Sequence, residues 1–296
     1  MEGLSMVVEA ESTLLKVLTI LHPEAKKNTL RRMVDRGRVR IDGERARRAN
    51  TIVAVGQNVV VLPHEAGDVS PAKLQSLLPA ISILYCDDDL IVVEKPAGLL
   101  SVATSAGESD TLFDRVLQWA KSEDMGRIFL VHRLDRETSG CMIFAFSPAV
   151  KDFLQSQFAE RTIERIYHAV VVGIPENQSG TENRRIKEGD DLRPILVPKG
   201  SKAGKTTVTH WWVERTGKSN SLVRLKIETG RRAQIRLHMA NIGHPVVGDT
   251  RHGIGRSSID RLCLHASSLT FDHPSGEEMS VKCEIPERFN TVIKQD

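Results

Sequence analysis

The sequence predicts an α+β protein, a largely antiparallel mixed sheet with flanking helices, preceded by a small α/β domain of its own. Three observations lead there. Beyond residue 81, short Val- and Ile-rich runs outnumber helical stretches, and the two do not alternate as a doubly wound sheet requires. Before residue 65, helical spacing gives way to a hairpin signature. Between them lies a stretch with His64, Glu65, Gly67, Asp68 and prolines that has no period at all. The predicted layout is a domain over 1–65, a linker over 66–80 and a second domain over 81–296.

In chain order, Leu14, Leu15, Leu18 and Leu21 recur at helical spacing. Asn28 is positioned to cap a second helix and Gly37 to end it. Arg38 to Gly43 then alternates into an Asp-Gly turn, the first arm of a hairpin. Asn58 to Leu62 adds a strand. In the second domain Leu90 to Glu94, Arg165 to Val172, Thr206 to Glu214 and Ser221 to Glu228 read as strands. Ser147 followed by Pro148 starts a helix whose Val150, Phe153, Leu154 and Phe158 form an apolar stripe. Residues 233–239 alternate in a way that period alone assigns to neither helix nor strand.

No run approaches the roughly 18 apolar residues of a membrane span, and the first residues lack a basic-then-apolar secretory signal. Cys86, Cys141, Cys263 and Cys283 form no C-x-x-C pair, which excludes a zinc knuckle and a disulfide framework and points to a reducing cytoplasm. The net charge of +3 is unevenly placed. From Lys26 to Arg48 ten basic residues meet three acids, leaving the remainder of the chain net acidic. Lys26, Lys27, Arg31, Arg32, Arg36 and Arg38 belong to that stretch. Such clustering suits a polyanion, nucleic acid above all, although a solvated helix face carries similar charge.

The densest chemical constellation is His132-Arg133-Leu134-Asp135-Arg136-Glu137-Thr138-Ser139-Gly140, between the apolar runs 128–131 and 141–146. A polar loop between buried strands is where a scaffold presents reactive groups. Arg133 and Arg136 beside Asp135 favour an ionised carboxylate, able to act as nucleophile or base. The same spacing also fits a local turn, with Asp135 and Thr138 bonding nearby backbone.

This segment resembles the H-R-L-D-x-x-T-S-G signature of the RluA/RluC/RluD-type pseudouridine synthases. Tyr85 to Leu90 with Glu94 to Leu99 is similar to the family's first motif, and Arg165-Ile166-Tyr167 with Gly173 to its K-x-Y…G element. Thr229-Gly230-Arg231, Gln234-Ile235-Arg236, His238, Gly243, Pro245 and Gly248-Asp249 resemble the third motif. Leu264-His265-Ala266 and His273-Pro274 match the closing segment, so the likeness spans about Ile81 to Ile285. Gly37-x-Val39 and Ile41-x-Gly43 in the basic region resemble the ribosomal-S-four-type RNA-binding domain.

The resemblance implies an isomerase of the pseudouridine synthase fold that turns uridine into pseudouridine in RNA without cofactor or metal. By position, Asp135 is the catalytic aspartate. Tyr167 stacks near the base and helps remove the proton from its carbon 5, and Arg236 pairs with the aspartate. Arg133 fills the stack left by the flipped uridine, while His132, Arg231 and Gln234 join the basic stretch in holding substrate. Flipping costs a few kcal/mol of unstacking, which an inserted planar cation partly offsets. Water must be kept from the detached base, or hydrolysis would result.

Two departures stand out. Arg232-Ala233 replaces a threonine or lysine followed by histidine, and Arg165 replaces a lysine while keeping its charge. The family pattern favours a helix over 233–239. Large-subunit ribosomal RNA is the expected target, transfer RNA the alternative, and an RNA-binding assembly factor independent of catalysis a third reading. A monomer is favoured, with no membrane partner.

Gly200 to Thr206 mimics a phosphate loop but has three residues between its glycines instead of four. Asp87-Asp88-Asp89 reads as a solvated turn, and His238, His244 and His252 lack zinc spacing. Trp211-Trp212 in a strand sends one ring inward and one outward.

Overall fold

The computed structural model describes residues 4–23, 25, 27–35, 37–62, 81–104, 106–123, 125–189, 193–253, 259 and 261–294, without the side chains of 28, 32 and 35. Lys26, Arg36, the side chain of Arg32 and the predicted linker 66–80 lie outside the described residues. The chain divides into two compact units, Met1–Leu74 and Gln75–Asp296.

The first unit contains β1 (Leu4–Val7), β2 (Ser12–Thr13), α1 (Leu14–Leu21), α2 (Lys27–Asp35), β3 (Val39–Ile41), β4 (Glu44–Arg45), β5 (Ile52–Val53) and β6 (Asn58–Val61). Its four-stranded sheet runs β1-β6-β3-β4, with β2 and β5 paired separately. Leu14, Val17 and Leu18 of α1 pack with Leu30, Met33 and Val34 of α2 and with Val39, Val59 and Val61 from the sheet. The helix starts at Lys27, so Asn28 lies inside it instead of capping it. Gly37 ends α2 at φ 76°, and Arg38 N–H bonds back to Met33 O at 3.0 Å. Asp42 (φ 49°) and Gly43 (φ 86°) turn β3 into β4, both left-handed as that two-residue turn demands. Asp42 also accepts hydrogen bonds from Asn58 N–H and from Gln57 Nε2, both at 2.8 Å, which tie the turn to β6.

The second unit follows the order β7 (Ser82–Cys86), β8 (Leu90–Lys95), α3 (Leu112–Ser122), β9 (Phe129–Leu130), β10 (Ser139–Ala145), α4 (Pro148–Glu160) and β11 (Glu164–Val172). Next come β12 (Ser179–Glu188), β13 (Pro194–Leu196), β14 (Lys205–Thr216), β15 (Asn220–Ile227) and α5 (Gln234–Asn241). β16 (Leu264–Asp272), β17 (Glu278–Lys282) and α6 (Glu287–Lys294) close the chain. An eleven-stranded sheet has the order β13-β12-β14-β15-β11-β16-β10-β8-β7, with β17 beside β16 and β9 beside β10. Among the described pairs only β10·β16 is parallel. Gly140 makes that junction possible. At φ 117°, an added Cβ would come within 2.1 Å of Ala266 O.

β10 is buried at every position, as expected for a strand covered on both faces. Cys141, Ile143 and Ala145 join Leu90, Val92, Val150, Leu154 and Leu269 in one core. Ser147 caps α4 by accepting from Val150 N–H. The predicted apolar stripe is interrupted at Phe153, which is exposed, because α4 turns Val150, Leu154, Gln157 and Phe158 toward the sheet instead. Asp87 is not solvated. It is buried and accepts hydrogen bonds from Asp89 N–H, Leu90 N–H and Tyr85 Oη, so it closes the β7–β8 turn from inside. No helix among the described residues is long and apolar enough to cross a membrane.

Candidate active site

Asp135 lies in the segment joining β9 to β10, and residues 95–101 fasten both of its neighbours. Ser101 Oγ donates to Leu134 O at 2.7 Å and accepts from Leu134 N–H at 3.1 Å. On the other side, Arg136 O accepts from Gly98 N–H and from Lys95 Nζ, each at 2.9 Å. Arg136 Nε returns a bond to Gly98 O at 3.0 Å. Lys95 is fully buried, and its other two donors serve Pro96 O and Leu99 O. Burial is the main cause of its pKa falling to about 8, against the pull of Glu137 and Asp135. Thr138 N–H bonds to Asp135 O and tightens the turn.

The Asp135 side chain looks away from this turn. Its Oδ2 accepts the Ala233 N–H at 3.2 Å. Ala233 is the N-cap of α5 and sits at φ 53°, a conformation a non-glycine residue adopts at a cost of about 1 kcal/mol or more. The strain aims an N–H at the carboxylate from the positive end of the helix. One turn on, Arg236 is buried and forms a bidentate pair with buried Asp249, Nε–Oδ2 at 2.7 Å and Nη2–Oδ1 at 2.5 Å. Asp249 Oδ1 also accepts from Arg251 N–H and His252 N–H.

These groups open onto a cavity of about 660 Å³ lined by Asp135, Tyr167, Ala233, Arg236 and His252, among others. Its volume is that of a small-ligand site. Exposed Arg133, Arg136, Arg193, Arg231, Arg232 and Arg251 rim it, together with Glu108, Glu137 and Glu188. Tyr167 faces the cavity from β11. Burial pushes its phenol up to about 12; Arg165 opposes that and Asp135 adds to it, so the resting side chain is a neutral phenol. A carboxylate, a phenol and a cationic rim in one cleft can hold a phosphodiester strand and work on one of its nucleotides.

The sequence model of the RNA pseudouridylate synthase family matches residues 89–241, half of the chain, and that stretch includes Asp135, Tyr167, Ala233 and Arg236 of the cavity wall. The chain belongs to that family. It is an isomerase that converts uridine to pseudouridine in RNA. The ribosomal large subunit pseudouridine synthase D of Pseudomonas aeruginosa is 32% identical over 93% of this chain and 90% of its own. The tRNA pseudouridine synthase C of Yersinia pestis is 35% identical over 73% of this chain and 90% of its own. Among solved structures, human RNA Pseudouridylate Synthase Domain Containing 4 superposes with a TM-score of 0.60 at 26% identity, over 71% of this chain and 90% of its own.

Of the residues singled out in sequence, this synthase gathers Asp135, Tyr167, Arg236, Arg133, Arg231 and Gln234 around the cavity. Arg133 has no hydrogen-bond or ion-pair partner among the described residues. Three expectations need correcting. Arg236 gives its guanidinium to Asp249 rather than to Asp135, although Asp135 and Glu137 lie close enough to act on its charge. His132 does not line the cavity. Its Nε2 accepts from Ile143 N–H at 3.1 Å, its ring packs on Phe158, and burial brings it down to about 3, so it is a neutral structural imidazole. Gln234 reaches the wall but its amide is consumed: Oε1 accepts from Thr229 Oγ1 and Arg231 N–H, and Nε2 donates to Val208 O and Thr209 Oγ1.

In the first unit, Lys27 and Arg31 are exposed, whereas Arg38 donates twice to Leu62 O at 3.2 Å and so has a fold role as well. The outward Trp212 ring is covered by Arg224, whose Cζ is 4.2 Å from the ring centroid. His238 is a core residue between Thr207 and Thr209. Sequence reasoning missed roles for Asp249, Ser101 and the Ala233 amide. Asp249 had a signal in Gly248, which sits at φ 81° with a Cβ position 1.9 Å from Arg261 O. An alanine offers none. Among the described residues, Glu94, His265 and Cys283 alone bring three ligand-type atoms within 4.8 Å of one another, and none of them lines the cavity.

Proposed function

We propose that this synthase isomerises specific uridines of large-subunit ribosomal RNA, with Asp135 as the reacting carboxylate at the ribose of a flipped-out nucleotide. The observation that carries the reading is the placement of Asp135, with both backbone neighbours fastened and its carboxylate turned toward the cavity and the Ala233 amide. Preorganisation of that kind favours a single productive geometry.

In the reaction the bond from ribose C1′ to uracil N1 breaks, the uracil turns while held, and C1′ rejoins through carbon 5. The proton on carbon 5 leaves and N1 gains one, so the atoms balance without a cofactor. Attack on C1′ and removal of the 2′ proton both begin with a carboxylate at the sugar, where Asp135 would stand. Tyr167, in the same wall, is suited to stack on the turning base and to take part in removing the proton from carbon 5. Arg133, exposed and without a partner among the described residues, is suited to enter the gap left in the RNA stack. Arg231 and the other rim arginines would hold phosphates.

Ribosomal RNA is favoured by the extent of the likeness. The Pseudomonas aeruginosa relative, named for the large ribosomal subunit, is matched over 93% of this chain, and the Yersinia pestis relative, named for transfer RNA, over 73%. We assign the basic first unit, which resembles the ribosomal-S-four-type RNA-binding domain, to the ribosomal RNA. The four cysteines are buried and form no disulfide among the described residues, which fits a reducing cytoplasm.

Two measurements test this. Asp135→Asn should abolish pseudouridine formation while leaving RNA affinity within about twofold. Turnover retained by that variant would remove Asp135 from the reaction. Pseudouridine mapping in total RNA from cells with and without the enzyme should show loss from large-subunit ribosomal RNA. Loss from transfer RNA alone would overturn the substrate.

A further inference from the structure

Arg165 is a buried cation with no anion of its own among the described residues. It is 7% exposed, on β11. Its Nη2 donates to Glu228 O at 3.0 Å and reaches Ile227 O at 3.5 Å, while its Nε–H, also buried, has no hydrogen-bond partner. Its Cζ lies 5.5 Å from the centre of the Phe158 ring. No carboxylate among the described residues forms an ion pair with it. Backbone carbonyls and a ring face are a thin substitute for the water such a group loses, so the arrangement is costly. The fold nevertheless makes room for it. Gly230, beside the cavity, leaves the space that Arg165 Nη1 fills, since a Cβ there would stand 2.8 Å from that atom.

What the charge faces is informative. Arg165 and Tyr167 are two residues apart on one strand, both inward-pointing in a pattern that alternates between half-buried and buried. The charged or ionisable groups acting on Arg165 are Tyr167 and Arg161, and Arg165 in turn acts on His132, which burial already keeps neutral. Those acting on Tyr167 are Arg165 from its own strand, Asp135 from the catalytic loop and Cys141 from β10. Of these, only Arg165 favours negative charge on the phenol oxygen. Arg165 itself does not line the cavity.

We propose that Arg165 is a positioning residue for Tyr167: an unneutralised guanidinium, held off the cavity, whose fixed field stabilises negative charge on the phenol oxygen. The catalytic use of that charge rests on the reading that Tyr167 takes part in removing the proton from carbon 5. Burial and Asp135 both oppose an anionic phenol, and a carboxylate paired to Arg165 would cancel the one group that counters them. The missing anion is thus part of the device. Arg165 touches no substrate and acts only through the tyrosine.

The chain has two tyrosines, which allows a direct test in the full-length protein. Labelling with 3-fluorotyrosine lowers the phenol pKa toward a range the fold tolerates and gives two fluorine resonances, and Tyr85→Phe identifies that of Tyr167. Arg165→Gln, or Arg165→Met should the first not fold, is expected to make Tyr167 about tenfold weaker as an acid, roughly one pH unit in its titration midpoint. Arg165→Lys should restore most of that. An unchanged midpoint in the neutral variants, or an equal rise in the lysine variant, overturns the proposal.

A measurement without substitution at Arg165 stands beside it. Coupling between two groups is reciprocal. The Arg165 Nε–H resonance must therefore shift at the pH where the fluorine resonance titrates, and its indifference would equally sink the idea. These readouts do not depend on turnover. If the titration responds as expected while kcat of the neutral variants stays at the wild-type value, Arg165 still acts on Tyr167, and the role given to the tyrosine under the proposed function is what fails.

Discussion

Arg236 and Asp249 form a buried bidentate ion pair beside the catalytic loop, and the pair leaves Asp135 bonded to a backbone amide rather than to an arginine. Burial alone would weaken the guanidinium's hold on its proton, yet the bonds and charge of Asp249 outweigh that, with Asp135 and Glu137 adding to them. The charge near Asp135 is thereby fixed in place by a residue that does not itself line the cavity.

Asp249→Asn should therefore harm both stability and turnover. Removing one partner of a buried pair leaves the other charge uncompensated, at about 3–5 kcal/mol. The Arg251 and His252 amides would also lose the carboxylate they share. We expect a loss of about 3 kcal/mol in denaturant unfolding and at least a tenfold fall in kcat. A variant as stable as wild type would show that the pair contributes little.

Lys95 provides a pH dependence with a definite sign. Its value falls from 10.5 in the unfolded chain to about 8 in the fold, chiefly through burial. Between those values the unfolded chain holds a proton that the folded one has released. Stability contributed by this group therefore rises with pH through 8 and levels off near 10.5. The difference in unfolding free energy between wild type and Lys95→Met should move in favour of wild type between about pH 7 and 9.5, other titrations cancelling in the comparison. A difference that stays flat would mean the ammonium is better solvated than its surroundings indicate.

The local features of the fold were legible because local chemistry decides them. Asp42-Gly43 dictates its own turn, Ser147-Pro148 its own helix start, and Gly243, at φ 88°, follows α5 as read. The eleven-stranded sheet was only partly legible. β12 contains Asn183, Arg184 and Arg185 and is mostly exposed or half-buried, so it shows no apolar alternation to read. The catalytic loop could be found by motif, but not the partner of each side chain in it. His132 and Asp135 are three residues apart, yet one packs on Phe158 and the other meets Ala233, a choice made by chain segments tens of residues away. Asp87 misled because a run of three acids resembles a solvated turn until β7 and β8 close over it.

Turnover should persist after dialysis against a chelator. The one described group with metal-ligand geometry, Glu94, His265 and Cys283, is off the cavity, and His265 Nδ1 is already engaged by Ser139 Oγ at 2.8 Å. The assay needs RNA refolded separately and checked for structure, since RNA folding itself uses magnesium. Activity lost on chelation and restored by zinc or magnesium, with the RNA fold unchanged, would reveal a metal the reaction needs.

The first unit gives the last prediction. Lys27, Arg31, Arg40, Arg45, Arg47 and Arg48 are exposed on a unit with its own core. If they contact phosphates, each contact releases counterions, and the logarithm of affinity falls with the logarithm of salt by about 0.9 per phosphate neutralised on duplex and 0.7 on single strands. Deleting residues 1–65 should then weaken RNA binding and flatten that slope by roughly three units, from about four lost contacts. Charge-reversed Lys27→Glu and Arg31→Glu in the full chain should flatten it by about one to two. Their effect should fall on affinity, with single-turnover rates at saturating RNA preserved, because none of these side chains belongs to the catalytic unit. A slope unchanged by both would assign the salt-sensitive binding to the arginine rim of the cavity instead.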